Sequence, residues 1–148
     1  PADDPSARPI AITRLPHRDG DAVSVTSSLE ESHTSSERVA MVLAKAGERG
    51  MKFREPARLD SQCKYAVVAR GQANAYIRLP TKKGYVERIW DHAAGALMCA
   101  EVGCAVTDAL GEPLDFSCGR GLEKNRGILA APPVVHGVLL GAIRELGV

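Results

Sequence analysis

Asp91 stands in the run Ile89-Trp90-Asp91-His92-Ala93-Ala94-Gly95, where an extended segment gives way to an apolar helix. A carboxylate in the first turn of such a helix faces the positive end of the helix dipole. That place suits a group that holds a divalent cation beside a phosphate. Trp90 is expected to anchor the turn in the core, and the small Ala93, Ala94 and Gly95 to allow close packing or close approach by a ligand. The plainer reading of the run is a helix start with an acidic first-turn residue and a buried tryptophan. Three further residues have the chemistry to meet an anion. Ser61 opens a helix after Asp60, where a hydroxyl and free N–H groups favour an anion; it reads equally well as a plain helix cap. Lys64 follows one turn later, near the same face, and supplies either a point charge to a phosphate or a solvated helix lysine. Arg78 ends a strand, either at the crevice that α/β sheets offer to ligands or on the surface. Metal-assisted removal of a phosphate needs carboxylates for the ions, a positioned water and cationic groups for the rest of the substrate. Magnesium takes hard oxygen ligands and few of them from protein, which makes Asp91 the best carboxylate here for such a role.

The elements that must hold these residues alternate between strand and helix. Val23–Thr26 is β-branched and alternating, a strand pattern. Ser35-Ser36-Glu37 starts a helix through Arg49, with Val39, Met41, Val42, Leu43 and Ala46 as its apolar positions and Gly47 and Gly50 at its end. Lys52–Leu59 reads as a strand, Ser61–Arg70 as a helix, Ala75–Leu79 as a strand closed by Pro80. The helix carrying Trp90 and Asp91 is expected to run to Val102. Ala105–Thr107 is a strand, Asp108–Asn125 a glycine- and charge-rich loop, Gly127–Ala131 a short strand, and Val134–Leu146 a final helix. Ile10–Leu15 could add a short strand near the N-terminus. This alternation calls for an α/β layered domain with a central mixed sheet flanked by helices over 23–148, preceded by a segment, 1–22, that is partly loop.

The chain of 148 residues is one domain's worth, long enough for a real core. A net charge of +1 gives no argument for nucleic acid or a membrane surface, and 4% aromatic residues leave little for base-stacking platforms. No apolar stretch approaches the length of a membrane span. Cys63, Cys99, Cys104 and Cys118 form no paired framework and are expected to be reduced and buried, which points to the cytoplasm or an organelle stroma. A zinc site from Cys99, Cys104 and His92 fits no common spacing, and Gly119-Arg120-Gly121 lacks the preceding strand of a dinucleotide loop.

Taken with Leu59-Asp60-Ser61-Gln62-Cys63-Lys64-Tyr65, Tyr76-Ile77-Arg78-Leu79-Pro80 and Pro113-Leu114-Asp115-Phe116, the Trp90-Asp91 run resembles the inositol monophosphatase superfamily and, within it, the 3'(2'),5'-bisphosphate nucleotidases. The resemblance extends from about Val23 to Ala131 and corresponds to the C-terminal half of those enzymes. It implies the C-terminal domain of the inositol monophosphatase-like fold and Mg2+-dependent removal of the 3'-phosphate from adenosine 3',5'-bisphosphate, giving AMP. It extends that action to 3'-phosphoadenosine 5'-phosphosulfate. It also implies lithium sensitivity and a part in clearing the by-product of sulfate transfer. By the same resemblance Asp91 binds a metal of the active-site cluster close to substrate, and His33, Ser61, Lys64 and Arg78 match nucleotide-contacting positions. His33 lies in a polar Ser/Thr loop, where a neutral imidazole could meet a base or ribose edge.

In this superfamily the N-terminal half brings a glutamate pair, an Asp-Pro-Ile-Asp-Gly-Thr-type motif and the residues that activate water. Asp3-Asp4-Pro5 and Asp19-Gly20-Asp21 do not reproduce that pattern, and the latter reads better as a turn. A chain that opens on Pro1 is expected to have lost upstream sequence, and one aspartate cannot assemble a multi-metal site. The chain is therefore expected to need the missing N-terminal half as its partner and to be a poor phosphatase alone. An inositol monophosphatase, an inositol polyphosphate 1-phosphatase and a non-catalytic nucleotide-binding module stand as the alternatives.

Overall fold

The computed structural model describes residues 20–30, 34–82 and 84–147. The Ile10–Leu15 strand, residues 1–19 of the N-terminal segment and His33 lie outside the described residues. In chain order the elements are β1 (Val25–Ser28), α1 (Ser36–Gly47), β2 (Ala57–Leu59), α2 (Cys63–Ala69), β3 (Ala75–Arg78), a single 3-10 turn (Ile89–Asp91), α3 (Ala93–Glu101), β4 (Ala105–Thr107), β5 (Ile128–Ala131) and α4 (Pro133–Leu146).

The five strands form one mixed sheet in the order β2-β1-β3-β5-β4. β1 runs parallel to both β2 and β3, while β5 is antiparallel to β3 and β4. Side chains alternate across a strand, and this sheet uses both faces. Ala75 and Ile77 of β3 with Leu129 and Ala131 of β5 face α1 and α4, meeting Val39, Val42, Leu139 and Ile143. Tyr76 of β3 with Ile128 and Ala130 of β5 faces α2 and α3, meeting Tyr65, Val68 and Cys99. Helices on both faces explain why β3 and β5 are buried along their whole length.

Local chemistry accounts for most element ends. Ser35 Oγ accepts from the Arg38 N–H at 3.2 Å, the cap expected for α1. Pro133 occupies the first turn of α4, and Gly147 closes it in the left-handed conformation. Four expectations shift. The strand expected over 52–59 shortens to β2, because Pro56 cannot donate to a ladder; upstream of it Phe53 makes an isolated bridge to Val23. β1 starts later than its alternation suggests and runs into Ser27 and Ser28, which pair with Arg58 and Leu59 of β2. The expected helix from Ser61 begins at Cys63, after a turn. The expected helix through Trp90 and Asp91 is broken: Asp91 ends a 3-10 turn, and α3 starts two residues on.

That break also overturns the buried tryptophan. Trp90 is 53% exposed, because the 3-10 turn projects its ring outward, where the Arg120 guanidinium lies 5.6 Å from the ring centroid. None of the four cysteines, all among the described residues, forms a disulfide. Cys99 and Cys104 are buried as expected, but Cys63 is exposed and Cys118 half-buried. Among the described residues no group of three metal-ligating side chains gathers, and no helix is long and apolar enough to cross a membrane.

Candidate active site

The C-terminal ends of the parallel strands β1, β2 and β3 open onto a cleft of about 210 Å³. Its lining brings together Ser61, Lys64, Arg78 and Asp91, four of the five positions singled out in the sequence. Ser28, Asp60, Gln62, Tyr76 and Trp90 complete it. Ligand crevices of α/β sheets form at such strand ends. Ligand clefts are commonly roughly 300–1,000 Å³, so this one has room for part of a nucleotide. A larger open groove of about 770 Å³, bordered by Leu79, Tyr85, Arg126 and Arg144, contains none of the candidate residues.

Ser61 does not cap a helix. It sits in the turn between β2 and α2 with φ +53°, a left-handed conformation that costs a non-glycine residue energy. The turn is held by its own groups: the Ser61 N–H donates to Asp60 Oδ1 at 2.6 Å, and Ser61 Oγ accepts from the Cys63 N–H at 3.4 Å. Lys64 is only 4% exposed, which rules out a solvated lysine. Its Nζ folds back to donate to the Ser61 carbonyl at 2.6 Å and lies 5.6 Å from the centroid of the Tyr76 ring. Burial lowers the Lys64 pKa, and repulsion from Arg78 adds to that, while Asp60 and Asp91 pull the other way.

Arg78 is not a surface strand residue either, being 4% exposed. Its Nε donates to Glu87 Oε1 at 2.7 Å and its Nη2 to Glu87 Oε2 at 2.6 Å, a bidentate fork. Nη2 also donates to Tyr85 Oη at 3.1 Å. Burial works against the guanidinium, but Tyr76, Glu87 and Tyr85 outweigh it and hold the charge more firmly than usual. Glu87 is itself buried and shares Oε2 with His92 Nε2 at 3.1 Å, while His92 Nδ1 pairs with Tyr65 Oη at 2.8 Å. A chain Arg78–Glu87–His92–Tyr65 thus runs beneath the cleft. Gly95 lets α3 lie against it: a Cβ there would stand 2.3 Å from a Tyr65 ring carbon.

Asp91 is exposed at the rim, and no described group donates a hydrogen bond to its carboxylate. Its turn is clamped from the other side of the cleft. Gln62 Nε2 donates to the Trp90 carbonyl at 2.9 Å, and Gln62 Oε1 accepts from the Gly95 N–H at 2.6 Å. Gln62 therefore caps α3, a helix whose own N-cap, His92, makes no side-chain cap bond.

The residues missed in the sequence are Gln62, Tyr76, Glu87 and His92. Three had a usable signal: period-2 alternation puts Tyr76 on the face of Arg78, and Glu87 and His92 flank Asp91 closely. Gln62 had none, because its work is done on an element 28 to 33 residues away. Asp115, quoted in the Pro113–Phe116 motif, belongs to the far loop, where Lys124 and Ser117 occupy its carboxylate.

The mixed five-stranded sheet flanked by helices is a fold this chain shares with solved inositol monophosphatase structures. Inositol monophosphate-bound Staphylococcal IMPase-II matches 90% of this chain with a TM-score of 0.64 at 18% identity, over 46% of its own length. The extragenic suppressor protein suhB of Bartonella henselae matches 84% with a TM-score of 0.59 at 22% identity, over 42% of its length. The chain belongs to the inositol monophosphatase family, whose model spans residues 9–147. Among curated proteins, the 3'(2'),5'-bisphosphate nucleotidase of Emericella nidulans is 51% identical over 89 residues, 60% of this chain and 25% of that protein. The 3'(2'),5'-bisphosphate nucleotidase 1 of Candida albicans is 37% identical over 131 residues, 88% of this chain and 36% of that protein. The one from Oryza sativa is 42% identical over 118 residues, 80% of this chain and 32% of that protein. The chain thus spans about a quarter to a third of the length of the curated relatives it matches.

Proposed function

We propose that this chain is the nucleotide-binding portion of a magnesium-dependent phosphatase that hydrolyses the 3'-phosphate of adenosine 3',5'-bisphosphate to AMP. 3'-Phosphoadenosine 5'-phosphosulfate is a second substrate of the same type, which places the reaction next to sulfate transfer. The observation that carries this reading is the convergence of Asp91, Lys64, Arg78 and Ser61, distant in sequence, on one cleft. The relatives' names supply the substrate class. Ser28 and the Ser61 turn give small polar groups at the strand ends, and the two buried cations give a binding surface for phosphate.

The donor set fits one magnesium ligand. Asp91 offers an exposed carboxylate whose oxygens no described group occupies, and magnesium takes one or two protein carboxylates beside a substrate phosphate. The bound ion would polarise the phosphoryl oxygens and lower the pKa of a bound water. The chain's own residues bind and orient: Lys64 and Arg78 hold anionic oxygens, Glu87 fixes the guanidinium plane, and Gln62 keeps Asp91 at the rim. The described residues show no cluster of three ligands; this chain covers 36% of the Candida albicans relative, and the remaining ligands would come from the part of such a protein that it does not cover. The absence of disulfides among the four thiols suits a reducing compartment such as cytoplasm or stroma.

The same single carboxylate favours a second reading, a non-catalytic nucleotide-binding module. Phosphate release from adenosine 3',5'-bisphosphate with magnesium separates the two, measured with this chain alone and joined to the metal-binding half of a relative. Lithium-suppressed release by the joined protein supports the nucleotidase. Tight binding with no turnover in either form favours the module. Faster release from an inositol phosphate than from the nucleotide would move the assignment to the inositol phosphatases.

A further inference from the structure

We infer that the Tyr76 hydroxyl is a substrate-binding group, a third donor beside Lys64 and Arg78 for an anionic phosphate oxygen in the cleft. The identity of that anion rests on the nucleotidase reading; the donor geometry does not. Tyr76 is fully buried, yet it lines the cleft. Its Oη is the one buried side-chain polar atom among the described residues that has no hydrogen-bond partner. Such an atom costs stability and needs a reason.

The neighbours show what is missing. Lys64 Nζ lies over the Tyr76 ring, and Arg78 follows two residues later on the same face of β3. Ammonium and guanidinium groups only donate, so neither can take the phenolic hydrogen. The oxygens of Glu87, which could take it, are already engaged by Arg78 and His92. Donors therefore converge on the cleft floor, the Tyr76 hydroxyl alone of them has no acceptor, and a phosphate oxygen is the acceptor it calls for. Burial raises the Tyr76 pKa far above 10, against the opposing pull of Arg78, so the hydroxyl keeps its proton and acts as a donor at neutral pH. Packing alone does not explain a tyrosine here: phenylalanine would fill the same space against Tyr65 without an orphaned hydroxyl.

Tyr76→Phe tests this directly. Titration calorimetry of this chain uses two probes, adenosine 3',5'-bisphosphate and inorganic phosphate, and a thermal melt without ligand accompanies it. The expected result is binding of both probes weakened ~10-fold, from the loss of one hydrogen bond to a charged group, with the ligand-free midpoint unchanged or higher. A lower ligand-free midpoint would show a structural partner for Oη and overturn the inference. Equal binding by wild type and variant would also overturn it, while leaving the nucleotidase reading intact. A wild type that takes phosphate through Tyr76 but ignores the nucleotide would uphold the donor and sink the nucleotidase. Binding of neither probe by the wild type would overturn both.

Discussion

Asp91 and Asp108 sit at opposite ends of what an aspartate can do in one fold. Asp108 is fully buried and every lone-pair direction is used. Its Oδ1 accepts from the Leu110 and Glu112 N–H groups, both at 2.9 Å. Its Oδ2 accepts from the Arg126 N–H at 3.1 Å and from Asn125 Nδ2 at 3.4 Å. It pins both ends of the loop between β4 and β5, and nothing is left over for a ligand. Asp91 is exposed, accepts nothing from any described group and is held only through the backbone of its turn. The same contrast extends around each residue. The loop is stitched by bonds that close on themselves, as at Asp115 with Ser117 and Lys124. The cleft combines a left-handed serine, two buried cations and an orphaned hydroxyl. Unspent capacity and local strain mark a functional site, whereas satisfied capacity marks architecture.

The largest expected effect breaks the comparison at Asp91. With this chain joined to the metal-binding half, Asp91→Ala should cut magnesium-dependent phosphate release by at least ~10³-fold, because several kcal/mol of charge stabilisation go with the ligand. The thermal midpoint should not move, since no bond is lost. Full turnover by the variant would remove Asp91 from the chemistry. Asp108→Ala should do the reverse. Stranding its four donors should cost about 3 kcal/mol in urea unfolding, with nucleotide affinity preserved in the molecules that remain folded. A stable Asp108→Ala protein that no longer binds nucleotide would invert the roles assigned to the two residues. Gln62→Ala lies between them. It removes the cap of α3 and the clamp on Trp90, which should cost about 1–2 kcal/mol of stability. It should also weaken magnesium-dependent turnover more than nucleotide affinity, because the loosened turn carries Asp91 and not the cations. Equal losses in turnover and affinity would show that Gln62 acts on the whole cleft.

Much of this contrast was legible in the sequence, for reasons that are local. Periodicity placed the helices, and the Ser35-Ser36-Glu37 run placed the start of α1. Ala75–Leu79 and Gly127–Ala131 were legible as strands, and it is the helices on both faces that bury them. Motif spacing singled out Ser61, Lys64, Arg78 and Asp91, and the fold brings them to one cleft; His33 lies outside the described residues. What sequence reading missed is long-range. It put Trp90 inside because large aromatics are usually buried, but the 3-10 turn that presents Asp91 turns the ring outward. It left Lys64 and Arg78 open to a solvent-exposed reading because burial of a charge depends on partners such as Glu87, which follows Arg78 by nine residues and returns from the far side of a loop. The capping of α3 by Gln62 joins two elements whose sequences carry no trace of each other.

The smallest effect concerns Lys64 and is a matter of pH. Burial, with Arg78 nearby, sets its folded-state pKa below the usual 10.5, so in the folded chain the charged form is disfavoured relative to the unfolded chain. Below the folded pKa both states are protonated and the full burial penalty stands. As pH rises between the folded and the unfolded value, the unfolded chain holds more protons, and stability increases. Binding moves the other way. A phosphate oxygen needs the ammonium, so nucleotide affinity should be full below the folded pKa and fall as pH climbs through it, earlier than an ordinary lysine would allow. Stability and affinity should therefore diverge over the same alkaline window, and Lys64→Met should flatten both curves. Titration of adenosine 3',5'-bisphosphate binding and of the urea midpoint across that window checks the sign. Curves that rise together in the wild type would mean that Lys64 is a structural cation, of a kind with Asp108, and not a ligand of the cleft.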